Sequence, residues 1–239
     1  MRSPLPRAAL LVAALLLACP ASAQTVDDIV AKNLEAKGGA ARLRETTTVR
    51  TVARGTSPAG EVRIVSSSKR PHFVLNEMEN AGQVMKQGFD GERMWMAVPG
   101  RPPQALPPGP QTEAMKQSSQ IDSPLLDYKE KGTAVTFAGT TTQGDRREHH
   151  LVITPKNGPP LNYYIDAGTW LESRIVVEFE EGGRKAVSEM RLSDYREVDG
   201  RMMPFKLRQF FNGTQVGEVT FEKVEFNVPM DDSIFRMPK

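Results

Sequence analysis

The chain has 239 residues, with 31 Lys and Arg against 29 Asp and Glu and a single cysteine, Cys19. So even a balance offers no electrostatic footprint for nucleic acid and no general attraction to an anionic membrane. One cysteine rules out an internal disulfide framework, so a core must carry the stability.

Arg2 and Arg7 precede an apolar run, Ala8 to Ala18, that is too short to span a bilayer comfortably, and Ala21-Ser22-Ala23 follows as a small-x-small site. The pattern predicts a cleavable export signal over 1–23 and a mature chain of one domain over 24–239. Cys19, preceded by Leu16-Leu17-Ala18, offers the alternative of a lipid anchor, although Leu17 and Pro20 fit that pattern poorly. Loss of Arg2 and Arg7 with the leader leaves 29 basic against 29 acidic residues and no cysteine.

Thr25 is placed to cap a helix, with Asp27 and Asp28 in its first turn. Val26, Ile29, Val30, Leu34 and Ala36 supply an apolar stripe at helical spacing, and Gly38-Gly39 ends it. Ala40 to Arg44 adds a further turn. Runs over 47–54, 61–67, 73–77, 83–89 and 93–98 then read as a β meander. Residues 99–127 carry Pro99, Pro102-Pro103 and Pro107-Pro108-Gly109-Pro110, which cannot supply ladder amides, so the stretch is expected to leave the sheet. A short helix over 112–119, with Met115 inward, and a turn from Ser123-Pro124 are expected within it. An insert of this length is either a lid or a plain surface crossover.

A second strand series follows over 133–138, 148–154, 161–166, 171–180, 185–196, 203–212 and 216–226, joined by turns such as Asp199-Gly200 and Asn212-Gly213. In the last strand Val219 and Phe221 are out of phase with Val224 and Phe226. One extra residue near Glu222, a β-bulge, is therefore expected. Phe235 is expected to tuck onto the body from a final turn.

Little chemistry is offered. His149 and His150 are neighbours on a strand and point to opposite faces, so they cannot share a metal without a bulge. His72 stands apart. No nucleophile elbow, zinc-protease pair or phosphate-cradling glycine loop occurs. The chain instead has strands that are apolar on both faces: Met94-Trp95-Met96, and Phe205, Leu207, Phe210 and Phe211. One face packs on a core; the other requires a helix, a lid or a ligand. Methionine suits a cavity of variable contents.

The order of Gly38-Gly39, Phe89-Asp90-Gly91-Glu92-Arg93-Met94-Trp95, Ser123-Pro124-Leu125-Leu126-Asp127-Tyr128, Tyr164-Ile165-Asp166-Ala167-Gly168-Thr169-Trp170-Leu171-Glu172, Asp194-Tyr195 through Asp199-Gly200 to Pro204, and Ser233-Ile234-Phe235 resembles the bacterial outer-membrane lipoprotein-sorting-protein-like family, related to the periplasmic carrier LolA. The resemblance implies an α+β fold, mainly antiparallel β: an unclosed, strongly curved barrel whose concave apolar side is covered by helices and holds acyl chains. It further implies a monomeric periplasmic carrier without catalysis or cofactor. Its partners would be the acyl chains of a lipoprotein or lipid, with membrane transport components beside them. Cavity and lid residues are expected at Met94, Trp95, Met96, Met115, Leu125, Leu126, Phe205, Leu207 and Phe210. Arg50 or Arg54, in the first strand, would stand where the family has a functional arginine. The competing readings are a protein-interaction scaffold and an accessory or enzymatic domain acting on envelope substrates.

Overall fold

The computed structural model describes residues 24–57, 60–109, 112, 120–156 and 159–238; the expected leader and Met115 lie outside them. Helix α1 spans Val26–Ala36 and starts as its sequence predicts. The Asp28 amide donates to Thr25 Oγ1 (3.1 Å) and the Thr25 amide donates back to the Asp28 carboxylate (3.1 Å), so two otherwise orphaned amides are satisfied reciprocally. Gly38 and Gly39 follow at φ +110° and +90°. A Cβ at Gly38 would lie 2.1 Å from the Gly200 carbonyl oxygen, so only glycine lets the helix end dock on the Asp199-Gly200 turn. Helix α2, Ala40–Arg44, secures the junction through Arg42, whose guanidinium donates to the same carbonyl at 2.8 Å.

The strands of the described residues form one antiparallel sheet. In chain order they are β1 (Thr48–Ser57), β2 (Gly60–Lys69), β3 (Phe73–Asn80), β4 (Gln83–Asp90), β5 (Met94–Ala97), β6 (Gln104–Ala105), β7 (Ala134–Gln143), β8 (Arg146–Thr154), β9 (Leu161–Asp166), β10 (Glu172–Glu181), β11 (Arg184–Val198), β12 (Arg201–Phe211) and β13 (Thr214–Phe226). Their spatial order is β6-β5-β4-β3-β2-β1-β13-β12-β11-β10-β9-β8-β7, a 13-stranded curved sheet in which β6 and β7 do not meet. Two hairpin meanders are thus joined through β1 and β13. The expected bulge is present: Val52 pairs with Lys223 and Ala53 with Phe221, leaving Glu222 as the extra residue. It brings Phe226, Val224, Phe221 and Val219 to a common face, and it adds local twist to the middle of the sheet.

The expectation that 99–127 leaves the sheet needs correction, because Ala105 pairs with Trp95 and Gln104 with Met96. Pro103 and Pro107 flank three residues that retain their amides, and the Leu106 amide donates to the Met94 carbonyl at 2.8 Å. Two residues of edge strand fit between prolines; a longer one would not. Of the expected helix over 112–119 only Thr112 is described, buried with its hydroxyl donating to the Pro107 carbonyl at 3.1 Å. Residues 123–132 form successive turns.

One core lies between α1 and the β7–β9 end of the sheet. Ile29, Val30 and Leu125 pack there on Leu151, Ile153, Tyr163 and Ile165. Fully burying each large aliphatic side chain stabilises the fold by about 1.5–3 kcal/mol. The face of the sheet that carries α1 is called the inner face below.

Candidate functional site: the inner face of the sheet

Register and alternation fix which side chains share the inner face. Met85, Met78, Ile64, Ala53 and Phe221 are successive cross-strand neighbours on β4, β3, β2, β1 and β13. A second row runs through Val62, Gly55, Val219 and Leu207. A third, Met190, Ile175, Tyr163 and Leu151, leads beneath α1. The helix closes over the Ile175, Tyr163 and Leu151 part of the third row. In the first two, Met85, Met78, Ile64, Phe221, Val62, Val219 and Leu207 are only half-buried, and none belongs to the cluster under α1. A broad apolar surface therefore continues beyond the part that α1 covers.

The expected cavity residues divide between the two faces. Met94 (6% exposed) and the half-buried Met96 lie on the inner face of β5, and Phe205 (6% exposed) and Leu207 on that of β12. Leu125 and Leu126 are buried in the turns after Ser123, with Leu125 part of the core under α1. Trp95 and Phe210 are on the outer face, which corrects their grouping with the others. Trp95 pairs with Gly88 and Gly88 with Leu75, and the indole is enclosed by Leu75 and Phe235. Its Nε1 donates to the Phe235 carbonyl at 2.7 Å. The expected final turn, a 3₁₀ turn over Asp232–Phe235, therefore covers the second apolar face of β5, for which the sequence allows a helix, a lid or a ligand. Phe210 lies under the Arg191 guanidinium at 4.1 Å. Arg50 and Arg54 also face outward; Arg50 is opposite Glu225, and Arg54 pairs with Glu222.

The inner-face residues that sequence reasoning missed, Val62, Ile64, Met78, Met85 and Val219, stand next to polar neighbours such as Glu61, Arg63, Glu77, Glu79, Lys86 and Glu218. Their signal was plain alternation, which also describes an ordinary core face. Only the half-coverage in three dimensions sets them apart.

Several polar groups near the inner face are engaged with one another. Lys37 Nζ is 2.7 Å from a Glu172 carboxylate oxygen, with both side chains largely buried, and the Tyr195 hydroxyl donates to the Glu172 carbonyl at 2.8 Å. Burial, reinforced by the Glu172 charge, raises the Tyr163 and Tyr195 phenols and keeps them neutral. Asn33, buried on α1, donates to the Trp170 carbonyl at 2.8 Å. Trp170 in turn stacks on His149 with ring centres 5.0 Å apart. Burial, with Arg147 and Lys32 nearby, lowers the His149 pKa and favours the neutral ring. His150 points to the other face, where it stacks on Tyr164 with ring centres 4.4 Å apart. Among the described residues no three His, Cys, Asp or Glu side chains are grouped to hold a metal ion. The arrangement offers apolar area and a fixed frame.

No protein-family profile and no curated protein matches this sequence. Solved structures do match it in fold. A LolA superfamily protein from Nitrosomonas europaea superposes with a TM-score of 0.60 at 13% identity, over 89% of this chain and 97% of that one. An outer-membrane lipoprotein-sorting protein domain from Vibrio parahaemolyticus gives 0.56 at 9% identity, over 87% and 94%. A DUF1329 family protein from Desulfovibrio piger gives 0.61 at 11% identity, over 88% and 97%. The chain therefore has the LolA-like fold, an unclosed and curved antiparallel sheet with its helices against the inner face.

Proposed function

We propose that the chain is exported to the periplasm by a cleaved leader and acts there, as a single-domain monomer, as a carrier. It shields the acyl chains of a lipoprotein or lipid against the inner face and delivers them toward the outer membrane, with no chemical step. The observation that carries this reading is the half-covered apolar surface formed by the rows through Ile64 and Val219. Burial alone drives such binding at about 0.8 kcal/mol per methylene, so no specific polar contact to the cargo is required. The flexible thioethers of Met78, Met85 and Met96 adapt to chains of different shape. Release follows when a membrane transport component offers a better-matched apolar surface.

Native mass spectrometry of the mature protein, isolated without detergent, tests this. The expected spectrum shows a monomer carrying an acylated adduct that lysophospholipid displaces saturably, and Met78→Asp loses that binding while keeping its circular dichroism. A lipid-free chain that binds no amphiphile sinks the reading, and a stable lipid-free assembly favours the scaffold instead.

A further inference from the structure

The outer face of β8–β12 carries a feature that acyl binding does not use. Arg174, Arg191 and Arg208 are direct cross-strand neighbours on β10, β11 and β12, three cations in one row. Like charges placed opposite one another destabilise a sheet unless something neutralises them. Two have partners: Arg174 Nε is 3.0 Å from Glu148, and Arg191 Nε is 2.7 Å from Glu189. Arg208 has none among the described residues. Glu218, its cross-strand neighbour, is taken by Lys206 at 3.0 Å, and the Arg208 Nε is buried without a hydrogen-bond partner.

These side chains line a cleft of about 860 Å3 together with Ser173 and Ser193. The cleft is built from below. Glu148 is 2% exposed and accepts from Ser173 Oγ at 2.6 Å as well as from Arg174, whose guanidinium is stacked 3.4 Å from the centre of the Tyr164 ring. Asp166, on the rim, already accepts from the Gly168 and Thr169 amides and pairs with Arg146. Glu148 and Asp166 are thus committed, the third acid lining the cleft, Asp145, stands exposed in the turn before β8, and guanidinium donors remain open.

The geometry points to an oxyanion site in this cleft, taking a phosphate group between Arg191 and Arg208 with Ser193 beside it. Planar guanidinium forks match tetrahedral oxyanions with paired, charge-assisted hydrogen bonds. The phosphate is either a soluble one or the headgroup of a membrane lipid. It is not the headgroup of a carried lipid, since the acyl surface is on the opposite face.

The test follows the arginine Nε–H resonances of the mature chain by NMR as inorganic phosphate replaces chloride at constant ionic strength. Saturable shifts at Arg191 and Arg208 are expected. Arg208→Gln weakens phosphate binding by at least about tenfold. Arg54→Gln, on the same face but paired outside the cleft, leaves it unchanged. Arg208→Gln also raises the thermal midpoint without phosphate, because it relieves like-charge repulsion, and it abolishes the stabilisation that phosphate gives to the unmodified chain. Arg208→Lys, which keeps the charge, retains part of the binding. Sedimentation with phosphatidylglycerol vesicles, lost in Arg208→Gln, identifies a headgroup as the source; phosphate binding without vesicle binding identifies a soluble one. Shifts that do not saturate, or a phosphate affinity unchanged in Arg208→Gln, overturn the site. Lysophospholipid binding measured on the same variant stays intact, which separates this outcome from the fate of the carrier reading.

Discussion

Gly88 and Phe235 decide what Trp95 does. A Cβ at Gly88 would sit 2.2 Å from the indole, so the ring lies flat on the backbone of β4, and Phe235 closes the other side. Removing that ring by Phe235→Ala is expected to cost about 3–5 kcal/mol in denaturant unfolding. With Trp170 replaced by Phe so that Trp95 alone reports, the same change should shift the emission to the red, whereas fatty acid leaves it unmoved from the opposite face. His149 gives a pH signature. Its folded pKa lies below the ordinary 6.5, so the unfolded chain binds the extra proton first. The stabilisation is whole above that value and is lost as pH falls from it toward the folded pKa. Unfolding midpoints should therefore drop across this window and do so less steeply in His149→Gln; equal slopes would refute the assignment.

At the scale of elements, α1 and the turns after Ser123 behave as a single clamp. Leu125 is fully buried beneath the helix, and Asp27 on the helix binds Lys129 at 2.8 Å from the same turns. Leu125→Ala should destabilise the chain by about 2–5 kcal/mol, measured by denaturant midpoint at unchanged m. Much of this level was legible in advance. Thr25, Asp28 and the Gly pair marked both ends of α1, because capping and left-handed closure are local chemistry. The phase change around Glu222 disclosed a bulge, because alternation is a strict rule with period 2. β6 was hidden, because prolines announce missing amides but not the two residues between them that still pair. The covering of Trp95 by Phe235 was hidden too: the final turn was readable, but its landing place, 140 residues back along the chain, depends on tertiary geometry. For the same reason alternation places Met94 and Trp95 on opposite faces of one strand but does not tell which face is the inner one.

For the molecule as a whole, the order of strands sets a gradient of cohesion. β1 and β13 sit in the middle and join the two meanders, whereas β6 holds one border with two residues. Native-state hydrogen exchange should find β1 and β13 amides opening only with global unfolding and the Ala105 and Leu106 amides exchanging far sooner. Uniform protection would contradict this. The gap between β6 and β7 has a mechanical meaning as well. A closed barrel has a circumference fixed by its strand number and stagger. A sheet with two free borders has none, so it can wind or unwind like a leaf spring, each hairpin changing its twist slightly while every ladder stays intact. On the carrier reading proposed above, acyl chains of different bulk would be accommodated by bending, without breaking a single strand pair.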